Sequence, residues 1–226
     1  MCIRFSFDLT REKIRRQFNI PLKQELDKSY NISPTRSAYV LTANNGELLR
    51  FRFGLIPYWA KDPTSGDHLI NAMAEGIESK DSFRMPIRQH RCIVFADSYY
   101  DSLRKNQKDQ HYRILQTNQN IMAFAGIWDL WADELGREFY SFSIITTHAN
   151  EDLRAAGWSR MPVIFNEEKQ LHQWLDPETS LQQAVKMLNT LPVNSLYFYP
   201  ISNAIDNPSN NYMELHKEIE LESADN

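Results

Sequence analysis

Residues 91–147 read RCIVFADSYYDSLRKNQKDQHYRILQTNQNIMAFAGIWDLWADELGREFYSFSIITT, and this stretch decides the fold. Apolar residues alternate with polar ones or form short runs, and polar turns separate the runs. The pattern predicts successive strands at Arg91 to Phe95, Tyr99 to Arg104, Tyr112 to Gln116, Met122 to Leu130 and Phe139 to Thr147. Short strands that follow one another directly predict a mostly antiparallel sheet.

The flanking sequence adds a hairpin and peripheral helices. Ser37 to Thr42 and Glu47 to Phe53 flank Asn44-Asn45-Gly46, a tight-turn signal, and Ile3 to Phe7 predicts an opening strand. Thr10 is a candidate N-cap for a basic first helix. Later helical patterns cover Glu78 to Arg84, Glu151 to Ala156, Glu167 to Leu175 and Ser180 to Leu188, before a last strand at Leu196 to Pro200. Without a βαβ rhythm or an internal repeat, we predict an α+β fold: a compact single domain around a mostly antiparallel, twisted, barrel-like β-sheet with peripheral helices.

Composition indicates an ordinary soluble globular chain. Hydrophobic residues make up 42% and charged residues 24% of 226 residues, which excludes disordered, collagenous and disulfide-scaffold classes. The two cysteines and the lack of a secretory signal favour a reducing, cytoplasmic setting. No apolar run approaches the roughly 18 residues that span a membrane.

The formal net charge of −4 is an average over two unlike ends. Lys and Arg minus Asp and Glu give +5 for residues 1–60, −2 for residues 61–160 and −7 for residues 161–226. The basic first quarter could attract phosphates, and the acidic end reads as a solvated helix and tail. Uneven surface charge without function explains the same numbers equally well.

Several common site classes have no support in the sequence. Motifs for dinucleotides, nucleotide phosphates, serine esterases and zincins are absent, so no organic cofactor is implied. The six histidines are scattered without ligand spacing, so we predict no metal site.

Cys2 is singled out by its position. Removal of Met1 would expose a thiol beside a free α-amine, whose pKa of about 7.7–8.0 leaves roughly a tenth of it unprotonated at pH 7. Such a 1,2-aminothiol condenses with an aldehyde to an imine, and the thiol then closes a thiazolidine ring. The same groups could serve an N-terminal nucleophile that cleaves amides. The alternative is that Cys2 has no chemical role.

Other candidates each have a structural alternative. Cys92 lies in an apolar strand and is predicted to be a buried, inert thiol. Asn71 offers a side-chain amide to a ligand or to a turn, and Asp101 shares a strand face with Asp97 and Tyr99, where a carboxylate can transfer protons. The candidates for phosphate contacts are Arg4, Arg84 and Arg160, and Trp59 suits either base stacking or packing.

Taken in order, nine sequence blocks resemble the SOS-response-associated peptidase family of abasic-site-processing proteins. The blocks are Met1 to Phe5, Tyr30 to Thr35, Gly54 to Asp62, Asn71-Ala72 with Glu75, Ser82 to Arg84, Arg91 to Asp97, Phe124 to Trp128 with Trp131, Phe142 to Asn150, and Arg160 to Ile164. The resemblance covers about residues 1–203, taken as one domain, and leaves 204–226 as an acidic C-terminal helix or tail.

The resemblance implies a barrel-like α+β fold, a basic groove for single-stranded DNA, and capture of the ring-opened deoxyribose aldehyde by Cys2 as a thiazolidine. It also implies that Asn71 holds the reacting centre, that Asp101 stands where the family has its catalytic glutamate, and that Arg4 and Arg160 bind phosphates. The family name reflects self-processing at the initiator methionine. We expect a monomer that binds abasic single-stranded DNA in the cytoplasm, next to the nucleoid when on DNA, without membrane or metal.

The departures from the family pattern bear on the chemistry. Where the family has Met-Cys-Gly, this chain has Ile3 in place of the glycine. Where the family has Asn-Ala-Arg, this chain has Met73 in place of the arginine. Its catalytic glutamate becomes Asp101, one methylene shorter, and its histidine before Asp-Arg-Met-Pro becomes Trp158. An indole cannot shuttle protons, so β-elimination and release of the adduct should be slow or lost.

Three functional hypotheses follow. The first is an abasic-site sensor that cross-links single-stranded DNA through Cys2, with possible autopeptidase and weak lyase activity. The second is a catalytically decayed module that only holds single-stranded DNA or a protein, motivated by Met73 and Trp158. The third is an N-terminal-nucleophile amide hydrolase.

Overall fold

The computed structural model describes residues 4–43, 47–105 and 108–221. The described residues form thirteen strands and five α-helices. The strands are β1 (Arg4–Phe7), β2 (Ser29–Ile32), β3 (Ser37–Thr42), β4 (Leu48–Phe53), β5 (Asn71–Met73), β6 (Arg91–Ala96), β7 (Ser98–Lys105), β8 (Lys108–Gln116), β9 (Met122–Ala132), β10 (Glu138–His148), β11 (Arg160–Pro162), β12 (Ile164–Phe165) and β13 (Leu196–Pro200). The helices are α1 (Arg11–Phe18), α2 (Pro86–Gln89), α3 (Glu151–Ala156), α4 (Glu168–Leu175) and α5 (Leu181–Lys186).

Five strands close a small barrel in the order β10-β4-β3-β6-β9 and back to β10. The β10–β4 pair is parallel, with Phe142 beside Phe53, and the other pairs of the ring are antiparallel. Strands β5 and β11 extend the barrel beside β10, and β12 pairs with β9. The predicted α+β class and barrel-like sheet are therefore confirmed. The turn predicted at Asn44 to Gly46 lies outside the described residues.

A second, antiparallel sheet in the order β13-β8-β7-β1-β2 packs on the barrel. Phe5 of β1 joins the two sheets, because its ring meets those of Phe53 at 5.5 Å and Phe124 at 6.0 Å, both edge-on. Tyr99 of β7 contacts Phe124 in the same way at 6.2 Å. The two sheets therefore share one hydrophobic core.

The barrel interior is narrow where Gly126 and Cys92 are directly paired. A Cβ on Gly126 would lie 2.8 Å from the Cys92 sulfur, so only glycine fits opposite this thiol. Cys92 is buried, as predicted, and burial raises the pKa of its thiol well above its ordinary value.

The helices lie at the periphery and bury one face each. Thr10 caps α1 by accepting a hydrogen bond from the Lys13 amide at 3.2 Å. Trp174 of α4 is fully buried, and its indole N–H donates to the Cys92 carbonyl at 2.9 Å. No helix in the described ranges has the length and apolar character needed to cross a membrane.

The helix expected over Glu78 to Arg84 is wrong. The structure has a 3₁₀ helix at Ile77–Ser79, then turns, then α2. Ile77 and Phe83 are both buried here, and a six-residue spacing would place them about 120° apart around an α-helix. The turns between Ile77 and Phe83 instead let both side chains reach the core.

The segment after residue 203 also differs from the expected helix or tail. It contains two 3₁₀ helices, at Asn203–Asp206 and Met213–His216. Ile205 and Leu215 are buried against Tyr100 on the outer face of the second sheet. The burial of these two apolar side chains explains why residues 204–221 lie against the domain.

Candidate functional site

Asn71 and Asp101 each lie on the core-facing side of a strand. Asn71 is paired with Ile144 of β10, so the two side chains share the barrel-interior face with Phe142. The Phe142 ring stacks on Phe53 at 5.2 Å, and Phe53 contacts Phe5 of β1. Asp101 lies two residues beyond Tyr99 on the core-facing side of β7. The register thus places the amide and the carboxylate that the sequence singled out on core-facing sides, Asn71 beside the barrel and Asp101 in the second sheet.

Asp101 also lies beside the start of the chain. Strand β1 pairs Arg4 with Tyr100, so Asp101 is the next residue of β7 in the direction that leads toward Cys2. Its side chain is 7% exposed, and its Oδ1 accepts a hydrogen bond from the Ser102 amide at 2.8 Å. Met1, Cys2 and Ile3, including the predicted nucleophile, lie outside the described residues.

Asp97 does not share this face, although strand alternation had placed it with Tyr99 and Asp101. It precedes β7, and its carboxylate accepts a hydrogen bond from Arg113 at 2.6 Å. Arg113 is paired with Tyr100, so the ion pair belongs to the opposite face of the second sheet. The reason is that the strand begins only at Ser98.

Trp158 occupies the space beside the Asp101 strand. It is 4% exposed, and its ring packs edge-on against Tyr112 at 5.3 Å and Phe198 at 4.8 Å. Tyr112 is the cross-strand partner of Asp101. The buried Trp158 indole N–H has no hydrogen-bond partner among the described residues. The position that holds a histidine in the family pattern is thus filled by an apolar ring whose N–H does not exchange protons at neutral pH.

Glu75 joins two basic side chains at the end of β5. Its Oε2 accepts a hydrogen bond from Arg160 at 2.8 Å, and its Oε1 lies 3.3 Å from His148 Nε2. Burial by itself raises the pKa of Glu75, but the Arg160 hydrogen bond and the charges of Arg160 and His148 outweigh it and lower that pKa. Glu75 is therefore ionised at neutral pH.

Arg160 is held inside the protein by this arrangement. Its side chain is 9% exposed, and its guanidinium also donates to the Thr146 carbonyl at 2.6 Å and to the Thr146 hydroxyl at 3.2 Å. The described contacts of Arg160 therefore position β11 and Glu75. Phosphate binding by Arg160 stays a prediction.

Arg4 begins β1, which lies between β7 and β2 in the second sheet. Its guanidinium donates to Asn31 Oδ1 at 3.1 Å and to the Asp206 carbonyl at 2.9 Å. Burial lowers the pKa of Arg4, partly offset by the charge of Asp206, and the group stays cationic. Arg4 is thus a fixed positive charge two residues from Cys2.

Trp59 and Arg84 are accessible. Trp59 is 53% exposed and lies on a loop. Two hydrogen bonds hold this loop: the Tyr58 amide donates to Asp129 at 2.9 Å, and the Trp131 indole N–H donates to the Ala60 carbonyl at 2.8 Å. Arg84 is exposed, 3.6 Å from Asp81. A rigid loop that presents an exposed indole suits base stacking, so both residues remain candidates for DNA contact.

Sequence reasoning missed the role of Asn31, whose amide nitrogen donates to the carbonyls of Ile205, Asn207 and Asn210. Asn31 was part of a quoted motif, but its partners lie more than 170 residues away, and no local signal reveals them. In the part of the chain that the structure describes, no group of three or more His, Cys, Asp or Glu side chains is arranged to hold a metal ion.

Comparison with known proteins gives matches over most of the chain. Residues 1–208 match the model of the family described as SOS response associated peptidase (SRAP). The abasic site processing protein YoqW of Bacillus subtilis (strain 168) is 36% identical over 222 residues, covering 95% of this chain and 98% of YoqW. The abasic site processing protein HMCES of Rattus norvegicus is 30% identical over 267 residues, with 95% and 75% covered. A crystal structure of a Bacteroides thetaiotaomicron protein superposes with a TM-score of 0.84 at 26% identity, over 96% of this chain and all of that one.

Proposed function

Because this chain belongs to the SOS response associated peptidase (SRAP) family, we propose that it acts in the DNA damage response by capturing abasic sites in single-stranded DNA covalently through Cys2. The names of the relatives support the abasic site as the target. The observation that carries the proposal is the position of Asp101 on the strand paired with β1, one residue further toward Cys2 than Tyr100, the partner of Arg4.

The proposed reaction needs no cofactor and no oxidant. Removal of Met1 frees the α-amine of Cys2, which adds to the aldehyde carbon of the ring-opened deoxyribose. The resulting carbinolamine loses water to give an imine. The Cys2 sulfur then adds to the imine carbon while the nitrogen takes up a proton. The net change joins one aldehyde, one amine and one thiol into a thiazolidine and releases one water.

The geometry of the neighbouring residues supports this reading. Consecutive α-carbons are about 3.8 Å apart, so the chain itself keeps Cys2 within about 7.6 Å of Arg4. The Arg4 guanidinium is a cationic phosphate partner near Cys2 in the chain, and Asp101 lies on the strand directly paired with β1. Asp101 accepts and returns the protons that the addition and dehydration steps exchange, and the Asn71 amide orients the reacting oxygen.

A second candidate function is non-covalent holding of single-stranded DNA by the same surface. Trp158 favours it, because the site lacks an imidazole at that position and the indole is sealed between Tyr112 and Phe198. Salt-sensitive binding without an adduct would identify this second function.

The cross-linking assay separates the two candidates. Purified protein is incubated with a single-stranded oligonucleotide that carries one abasic site, and the products are resolved on a denaturing gel. We expect an SDS-resistant adduct with the wild type and with Cys92→Ala, whose thiol is buried in the barrel, and none with Cys2→Ala. Equal behaviour of wild type and Cys2→Ala would refute covalent capture.

A further inference from the structure

We propose that a polar groove beside Arg4 binds the phosphodiester backbone of the DNA strand flanking the reacting nucleotide; this inference rests on the proposed function. The groove, called here the arginine groove, has a volume of about 570 Å³. The residues of its wall that the argument uses are Ser29, Asn31, Arg36, Arg50, Ser209 and Asn211.

The charge of the arginine groove is positive in a chain that is acidic as a whole. Its lining includes two arginines and no aspartate or glutamate. Arg36 and Arg50 are both exposed, and neither forms an ion pair with any residue that the structure describes. Three other cavities of the described chain each include a carboxylate: Asp176, Glu12, or Asp8 with Asp97. The arginine groove is therefore suited to an anion.

The two guanidiniums are carried by well-fixed backbone. Arg50 is the cross-strand partner of Tyr39, and its guanidinium lies 4.6 Å over the Tyr39 ring. Tyr39 is itself buried, and its hydroxyl accepts a hydrogen bond from the Asp27 amide. The Arg36 amide and carbonyl are both bonded, to Ser33 and Phe53. The Arg50 guanidinium, held over the ring, loses less conformational entropy when it binds a phosphate.

The opposite wall adds a neutral donor. The Asn211 side-chain oxygen accepts hydrogen bonds from the Tyr30 amide at 2.6 Å and from the Ser29 hydroxyl at 3.3 Å. Its side-chain nitrogen is thereby oriented as a donor, and Ser209 contributes a hydroxyl to the same wall. Amide and hydroxyl donors of this kind commonly contact phosphate oxygens of nucleic acids.

The arginine groove lies next to Arg4, because the two share Asn31. Asn31 lines the groove and accepts the hydrogen bond from Arg4, the residue closest in sequence to Cys2 among the described ones. The same Asn31 holds the wall near Asn210 through its amide nitrogen. The flanking strand occupies this neighbouring groove, where Arg36 and Arg50 add two phosphate contacts to those that the family resemblance implies.

The test is a charge-matched comparison on the full chain. Arg36→Gln/Arg50→Gln removes the groove charges, and Arg15→Gln/Arg16→Gln removes two exposed arginines of α1 that lie outside the arginine groove. Affinity for an intact, labelled single-stranded oligonucleotide is measured across a salt series. Two lost phosphate contacts should flatten the slope of log K against log salt by about 1.4 in the groove variant, with the wild-type slope kept in the α1 variant. Equal slopes in the two variants would overturn the proposal.

Cross-linking rates with abasic oligonucleotides of different length provide the second arm. Extending the strand on the 5′ or the 3′ side should speed the wild-type reaction on one of the two sides, and the groove variant should lose that gain while keeping the rate on the shortest oligonucleotide. An unchanged length gain in the groove variant contradicts the groove assignment. Binding of intact DNA does not require Cys2, so failure of covalent capture leaves the salt-slope result standing and is distinguished from failure of the groove.

Discussion

Trp158 packs edge-on against Tyr112 at 5.3 Å, and Tyr112 is the cross-strand partner of Asp101. An indole thus lies one side chain away from the carboxylate that we expect to move protons. Because the indole keeps its proton at neutral pH, Trp158 supplies no general acid for opening of the thiazolidine ring. The adduct should therefore be long-lived.

Trp158→His should shorten the lifetime of the adduct. An imidazole in this position titrates near neutral pH and can protonate the ring nitrogen as the thiazolidine opens. The measurement is transfer of preformed adduct to an excess of a second, labelled abasic oligonucleotide. Trp158→Phe, which keeps an aromatic ring without any exchangeable proton, should transfer as slowly as the wild type. A folded Trp158→His protein that transfers no faster would contradict the role given to the indole.

Asp101→Asn should slow cross-linking by on the order of 10²–10⁴-fold, the usual contribution of a general acid–base group. Asparagine keeps the size and the hydrogen bond to the Ser102 amide but cannot exchange a proton. Asp101→Glu should retain part of the rate, because the carboxylate remains. The check is the pH dependence of single-turnover cross-linking. If the Asp101→Asn variant keeps the wild-type pH dependence of the cross-linking rate, another group exchanges the protons.

Glu75→Gln should destabilise the protein by about 1–3 kcal/mol, because it weakens the partner of the buried Arg160. The matched control is Glu168→Gln, since Glu168 lies 3.4 Å from His172 on the surface of α4, as Glu75 lies 3.3 Å from His148. Exposed pairs of that kind contribute little, so the control should stay within about 0.5 kcal/mol. Urea unfolding at pH 7 measures both free energies, and equal losses would contradict the positioning role of Glu75.

The same variant should also change the acid response. The pKa of Glu75 is lowered in the folded protein by Arg160 and His148 in spite of its burial. The ion pair therefore stabilises the fold above the ordinary pKa of 4.5, and this contribution is lost as the pH falls below that value. The free energy of unfolding of Glu75→Gln should therefore fall less steeply below pH 4.5 than that of the wild type.

His216 should make the fold weaker in mild acid. Burial, and next the charge of Arg113, lower the pKa of His216 from 6.5 to about 4, against the opposing charges of Asp97 and Asp8. The unfolded chain then binds a proton between pH 6.5 and 4 that the folded chain does not, so stability falls as the pH falls through that window. His216→Gln should show a flatter melting temperature between pH 6.5 and 4. An unchanged profile would assign the acid response to other groups.

The sequence predicted the barrel because its strands are long, successive and separated by clear turn signals. It did not predict β5, since these three residues pair in parallel with β10, more than 70 positions later. The sequence therefore singled out Asn71 but did not show which strand it lies beside. The motif residue Glu75 gains its role only from Arg160, 85 residues away, and from His148.

The C-terminal segment shows the same limit. Its acidic composition predicted a solvated helix, yet Ile205 and Leu215 bury it against Tyr100, and Asn31 satisfies three of its carbonyls. Contacts over such separations follow from the closed fold and have no local periodicity. By contrast, the exchange of a family histidine for Trp158 was visible in the sequence, and the structure added its burial.

The most direct test of covalent capture is the intact mass of the complex formed, without reductant, between the protein and an abasic single-stranded oligonucleotide. We expect the mass of the chain lacking Met1 plus that of the oligonucleotide minus one water, with the modified peptide beginning at Cys2. A complex that retains Met1, or whose DNA is attached to any residue other than Cys2, would contradict the account.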